Sequence, residues 1–303
     1  MRLSAILIFS IFFFNSATYG NKVDSLITDS DVNDFVKSEN PQFLKDKFGK
    51  FQIQPMDSLL KNLACDGIFS NWNIKNWEKV DVTNDGLTDL VFIAYWYDYI
   101  SYVFIDQGNN KFKLFRFSKN SFENCELIKP IKIGTKNYLR IFRKTQQPDL
   151  TSKIPFSYKE VIIMDTLVFK YNSFVELEAP GNDIVKSIKM NASGCDGSCP
   201  IFNLTLYPSG KCDFEGIGFT KTNGKSSKIL STDIFKELSH LANYINIKKL
   251  NDQYQVPWTD DQTATLTITF ENGLKKTIRD YGMQGTFGLS ALYSKMTSLA
   301  VSW

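Results

Sequence analysis

Apolar positions recur along this chain in three rhythms, and each predicts a different kind of element. Residues 5–14 (AILIFSIFFF) are almost continuously apolar, but the run is shorter than the ~20 residues that cross a bilayer. Arg2 precedes it, and Thr18 and Gly20 stand where the −3 and −1 residues of a cleavage site belong, so residues 1–20 read as a signal peptide. The second rhythm is helical. Val32, Phe35 and Val36 share one face of a helix capped by Ser30, Asn40-Pro41 interrupts it, and Phe43, Leu44 and Phe48 continue on a second helix ended by Gly49. Met56, Leu59, Leu60 and Leu63 make a third stripe.

From Trp77 the period falls to two. Segments 77–82, 89–96, 102–107, 111–117, 128–133, 138–143, 160–164, 166–171 and 174–177 predict an antiparallel meander. Gly108-Asn109-Asn110 is a hairpin loop within it, and 145–154 a polar loop. Ala179-Pro180-Gly181 separates two expected domains, 21–179 and 180–303. The second opens on strand 184–190, and a Cys-x-Gly-x-Cys-Pro knot (Cys195, Gly197, Cys199, Pro200) then leads into strand 201–207. Pro208-Ser209-Gly210 turns the chain into strand 211–216. Helix 231–245 follows, capped by Thr232, with Phe235, Leu238, Leu241, Ala242 and Ile245 on one face. Strands 263–270 and 275–281 flank an Asn272-Gly273 hairpin turn, and Leu289, Leu292, Met296 and Leu299 mark a last helix. The fold class is α+β: antiparallel sheets with a few packing helices, in two domains.

Composition narrows the function. Removing the leader leaves about 280 residues, of which enough are hydrophobic (43% of the chain) to build a core rather than a disordered segment. The net charge of +3 is spread without a basic block, which excludes an electrostatic footprint for nucleic acid. No later stretch is long and apolar enough for a membrane span, so the expected location is periplasmic or secreted. In that oxidising setting five cysteines favour disulfides. Cys195–Cys199 and Cys65–Cys125 are the preferred pairs, leaving Cys212, although the hairpin also brings Cys212 back towards the knot and the sequence alone does not choose.

One loop has the chemistry of a cation site. In Asp81-Val82-Thr83-Asn84-Asp85-Gly86-Leu87-Thr88-Asp89, oxygen side chains fall at positions 1, 3, 5 and 9, with glycine at 6 for the turn. Ca²⁺ requires several oxygens converging at about 2.3–2.6 Å. The segment resembles the calcium loops of FG-GAP and related propeller-type repeats, Asp-x-Asn-x-Asp-Gly-x-x-Asp between strands. On that resemblance Asp81, Thr83, Asp85 and Asp89 stand at ligand positions, Thr83 departing from the pattern as a neutral donor, and the Leu87 carbonyl could add a ligand. The competing reading is a metal-free turn held by Asx-type hydrogen bonds.

The order Cys-x-Gly-x-Cys-Pro, alternating strand, Glu-Gly, helix, Thr-Asp, strand, Asn-Gly, Asp280-Tyr281-Gly282, helix resembles the domain of unknown function numbered 6438, over about residues 184–296. The resemblance implies an α+β domain and export, and no activity.

Zinc at Cys195 and Cys199 would need Cys212 and His240 as further ligands. Asp260, Asp261, Arg279 and Asp280 are the polar groups inside the resembling region. The simplest reading has Asp260 capping a turn and Arg279 pairing with Asp280, since no nucleophile or metal motif accompanies them. Trp96-Tyr97-Asp98-Tyr99 adds an aromatic surface suited to carbohydrate or peptide, unless those rings pack in the core. The expectation is an exported, non-catalytic envelope or surface module that binds a protein, peptide or glycan. The alternative is a secreted hydrolase with an acidic site around Asp260 and Asp280.

Overall fold

The computed structural model describes residues 21–45, 51–63, 65–118, 125–149, 151–154 and 157–303. The expected signal segment, Phe48 and Gly49 lie outside these residues. In chain order the first half contains α1 (Asp29–Glu39), α2 (Gln42–Lys45), β1 (Gln52–Ile53), α3 (Met56–Asn62), α4 (Ile68–Asn71), β2 (Trp77–Val80), β3 (Asp89–Trp96), β4 (Asp98–Asp106), β5 (Phe112–Arg116), β6 (Glu126–Ile133), β7 (Lys136–Pro148), β8 (Tyr158–Lys170) and β9 (Ser173–Glu176). The second half contains β10 (Val185–Ala192), β11 (Ile201–Leu206), β12 (Lys211–Gly218), β13 (Gly224–Ile229), α5 (Thr232–Tyr244), β14 (Gln253–Gln255), β15 (Thr263–Phe270), β16 (Lys275–Tyr281) and α6 (Phe287–Val301).

Among the described residues the strands form three sheets, and all pairings but one are antiparallel, the α+β class read from the pattern. β1-β3-β4-β5 make one sheet, with β2 sharing the outer edge of β3 with β1. β6 to β9 form a separate four-stranded meander. The single meander expected across the first half is therefore two sheets, and the polar loop expected at 145–154 begins later. β7 continues to Pro148, paired with β8 from Tyr158 onward. Beyond Arg143 this hairpin outruns β6 and projects as a two-stranded arm. Its β7 side carries Lys144, Thr145 and Gln146, whereas its β8 side carries Val161, Ile162 and Ile163, Ile162 being largely exposed.

The second half is one seven-stranded sheet in the order β13-β12-β11-β10-β15-β16-β14. Alternation decides its two faces. Ala264, Leu266, Ile268 and Phe270 of β15 point inward with Ile188 and Met190 of β10, while the intervening threonines of β15 are half-buried on the opposite face. Leu238, Leu241 and Ala242 of α5 and Leu289, Leu292 and Met296 of α6 cover the apolar face. Each such aliphatic side chain contributes roughly 1.5–3 kcal/mol on burial. Cys212 is fully buried in this core, and burial pushes its thiol up to about 12. The other four cysteines are bonded as Cys65–Cys125 and Cys195–Cys199, with Cα atoms 5.4 and 5.7 Å apart.

The halves meet through side chains as well as through the 177–184 connection. Val175 of β9 belongs to the C-terminal core, and Phe287 of α6 packs on the cluster formed by β3 to β9. Two helix starts differ by a position or two from the sequence reading. Thr28, not Ser30, caps α1 in a capping box with Asp31, and Ser231, not Thr232, caps α5. Adjacent hydroxyl or carboxylate residues make such caps interchangeable on pattern alone. Among the described residues no helix is long and apolar enough to cross a membrane.

Candidate functional site

The loop from Asp81 to Asp89 joins β2 to β3, and its carboxylates face backbone amides. Asp81 accepts from the Asp85 and Gly86 amides at 3.1 and 2.9 Å and from the Thr83 hydroxyl at 3.2 Å. Asp85 accepts from the Leu87 amide at 2.9 Å. Asp89 is fully buried. One of its oxygens accepts from Val82 and Thr83 (2.9 and 3.3 Å), the other from Asp106 (2.9 Å). Burial nevertheless pushes the Asp89 carboxyl up to about 7, desolvation outweighing the three amides. Asn84, at φ 61°, and Asn137 exchange further bonds that tie the loop to the β6–β7 hairpin. A hard cation takes about 6–8 oxygens aimed at one point. The oxygens here are aimed at amides, and no three acidic, histidine or cysteine side chains among the described residues are grouped to hold a metal ion. As placed, these oxygens serve the metal-free turn.

The other sequence-marked residues separate. His240 is exposed on α5, far from the requirements of a zinc site, since Cys195 and Cys199 are bonded to each other and Cys212 is inside the core. Trp96 packs edge-on against Phe43, whereas Tyr95 and Tyr99 pair at 5.3 Å on a partly exposed face, and Tyr97 projects from the hairpin tip at φ 66°. Asp260 lies at φ 70° in the 258–261 loop, and its carbonyl accepts the Asp196 amide at 3.1 Å, which docks the knot on that loop. Arg279 and Asp280 do not pair with each other. They are consecutive in β16, so one faces solvent and the other the fully buried side.

Asp280 instead organises the turn into α6. Its two oxygens accept the amides of Gln284 (3.2 Å) and Gly285 (2.8 Å). A side chain at Gly285 would meet the Tyr254 ring at 2.5 Å, so only glycine lets the turn close on β14. Thr286 then caps α6 by accepting from Leu289, and Glu176, from β9 of the first half, accepts the Phe287 and Gly288 amides at 2.6 and 2.8 Å. The Tyr293 hydroxyl is buried beside Asp280, and burial first, then the Asp280 charge and a hydrogen bond to that carboxylate, raise its pKa.

Around this turn the two halves leave two adjoining clefts that share Arg143 and Gln284. One, of 510 Å³, runs along α6 past Ser290, Tyr293 and Thr297, opposite Phe115 and Phe174. The other, of 580 Å³, has the β7–β8 arm as one wall and β14 with the 256–258 segment as the other. Arg143, Lys159 and Ile163 face Tyr254, Trp258 and Asp280 across it. Arg143 is held by a buried ion pair with Glu126 (2.5 Å) and lies 5.1 Å over the Phe287 ring. Trp258 is positioned by a bond from its indole to Asp261 (3.2 Å), and the Asp261 amide donates to the Tyr281 hydroxyl at 3.1 Å. Of the two acidic residues marked in the sequence, Asp280 lines this cleft and Asp260 does not. Arg143, Lys159 and Tyr254 carried no sequence signal; Trp258 was visible only as a loop aromatic.

Residues 186–300 match the family described as Domain of unknown function (DUF6438), which places β10 to α6 within it and leaves the β7–β8 wall of the cleft outside. No curated protein and no solved structure matches this chain.

Proposed function

We propose that this is an exported, non-catalytic binding module whose ligand, a peptide or a glycan, lies in the cleft between the β7–β8 arm and β14. The observation that carries the reading is the cleft's construction. Both halves contribute walls, and a cation (Lys159), two aromatic rings (Tyr254, Trp258) and an aliphatic residue (Ile163) converge on 580 Å³. Recognition sites commonly combine apolar surface with a few directed polar groups in this way. The hydrolase alternative loses support because the Asp280 oxygens already accept two amides that hold the α6 turn, whereas a general base needs an oxygen within reach of the proton it removes.

The test is fluorescence titration of the exported form with a tryptic casein digest and, separately, with a ladder of neutral oligosaccharides. Saturable quenching by either pool, absent in Trp258→Phe, is the expected result. Failure of both pools sinks the reading. Turnover of either pool that Asp280→Asn abolishes, in protein that still melts cooperatively, would replace it with the hydrolase.

A further inference from the structure

β14 is the last strand of the seven-stranded sheet, and its only pairing among the described residues is with β16, in parallel. Two backbone bonds fix which of its residues face that neighbour. Arg279 donates to the Asp252 carbonyl at 2.9 Å, and Val256 donates to the Tyr281 carbonyl at 3.1 Å. In a parallel ladder successive residues direct their backbone groups to opposite sides. Asp252, Tyr254 and Val256 therefore serve β16, and Gln253 and Gln255 turn their N–H and C=O groups outward. Both glutamines are exposed and both line the 580 Å³ cleft.

An open strand edge is a template for another chain, and proteins usually blunt or cover it. Here the edge is short, three residues with Pro257 soon after, but among the described residues no strand covers it, and it forms one wall of a bounded cleft. Main-chain donors and acceptors in register with a strand complement another extended backbone, which is how peptides add to sheet edges. A glycan does not reproduce that spacing. The side chains around the edge specify the rest. Ile163, Val256 and Trp258 offer apolar contact, and Lys159 makes no ion pair within 4.0 Å among the described residues, its charge reaching only the Asp149 carboxylate, whereas Asp252 is paired with Lys276, and Arg143 with Glu126.

We propose that the ligand is an extended peptide bearing a carboxylate, which pairs with Gln253 and Gln255 as an added strand and places its acidic group at Lys159. This rests on the binding-module reading above and narrows its ligand to one class.

The experiment pans a phage-displayed library of random linear dodecapeptides on the full exported chain, beside a protein already known to enrich peptides from that library. Enriched peptides are synthesised and their affinities measured for the wild type and for Gln253→Pro, Gln255→Pro and Lys159→Glu. Proline removes an outward N–H that the fold does not use, so the sheet is expected to persist, as proline is tolerated on edge strands. The expected results are enrichment of peptides carrying Asp or Glu, a loss of affinity of tenfold or more in each proline variant, and a comparable loss in Lys159→Glu. Should a proline variant unfold, amide exchange in the wild type decides instead: bound peptide is expected to slow exchange at Gln253 and Gln255. No enrichment where the control protein enriches, undiminished affinity in the folded proline variants, or unprotected amides would overturn the peptide. If oligosaccharides still quench Trp258 in that case, the module stands and only its peptide ligand falls.

Discussion

The Glu176 carboxylate, at the end of the last strand of the first half, lies 2.8 Å from the Gly288 amide in the first turn of the last helix of the second half. Its other oxygen receives the Phe287 amide at 2.6 Å. Helix starts leave amides without partners and favour negative charge, so one side chain satisfies the α6 terminus and fastens the halves together. Glu176→Ala is expected to lower stability by about 2–4 kcal/mol, two buried donors at roughly 1–2 each, as read by urea unfolding. Burial raises the Glu176 carboxyl above its ordinary value in spite of those amides. A group raised in the folded state contributes stability that is present below its unfolded pKa and lost as pH rises through the folded one. The slope of stability against pH on the alkaline side of the ordinary carboxylate range should therefore flatten in Glu176→Gln.

Asp89 makes a similar but separate prediction, with a stated window. Its carboxyl stands at about 7 in the folded chain against an ordinary value of 3.8. The folded state then holds more protons between these values, so stability falls as pH rises from about 4 to 7. The full effect is on the order of 4 kcal/mol at 1.36 kcal/mol per unit. Asp89→Asn should remove the slope and also lower stability throughout, because its amide nitrogen would face backbone donors at Val82, Thr83 or Asp106. The same loop can be tested for Ca²⁺. With its oxygens on amides, the expected thermal melt is unchanged between excess Ca²⁺ and chelator. A rise corresponding to ~2.7 kcal/mol at a hundredfold excess over Kd, abolished by Asp85→Ala, would restore the ion site.

These two carboxylates show where the sequence is legible and where it is not. Strands β3, β15 and β16 carry eight, eight and seven residues whose apolar run or alternation reports directly on a buried face, and their limits coincide with the expected segments. β13 reads GKSSKI and is almost wholly exposed, so it has no alternation to detect. β14 has three residues and is defined by a parallel partner well downstream in the chain. The β7–β8 arm was divided into strands and a polar loop for the same reason. Asp81 to Asp89 displayed its oxygens in the sequence, but their targets are amides whose positions only the folded loop sets. The cleft joins residues 143–163 to 251–285, and no local pattern links segments so far apart.

The Glu126–Arg143 pair should prove costly to break. The Glu126 and Arg143 side chains are 2% and 14% exposed, so removing one partner takes from the other its ion pair in a poorly hydrated place, at up to about 3–5 kcal/mol. Glu126→Ala is expected to unfold at markedly lower urea than Arg143→Met paired with Glu126→Leu, which removes both charges. Equal stability of the single and double variants would mean that the site is wetter than its geometry indicates.

The two disulfides should differ in weight. Cys65–Cys125 closes a loop of 60 residues and Cys195–Cys199 one of 4. Chain-entropy arguments assign about 4 kcal/mol to the long loop and about 2 to the short one. Replacing Cys65 and Cys125 with alanine should therefore lower the melting temperature more than replacing Cys195 and Cys199. The short bridge has a local task instead, since it shapes the knot whose Asp196 amide rests on the Asp260 carbonyl. Loss of that bridge should loosen the 258–261 loop, and with it Trp258 at the cleft, at about half the cost in global stability of losing the long bridge. Acrylamide quenching of Trp258 in the Cys195→Ala, Cys199→Ala variant checks this: increased quenching with a smaller fall in melting temperature than in the Cys65→Ala, Cys125→Ala variant is expected, and the reverse pattern would assign the knot to the core rather than to the cleft.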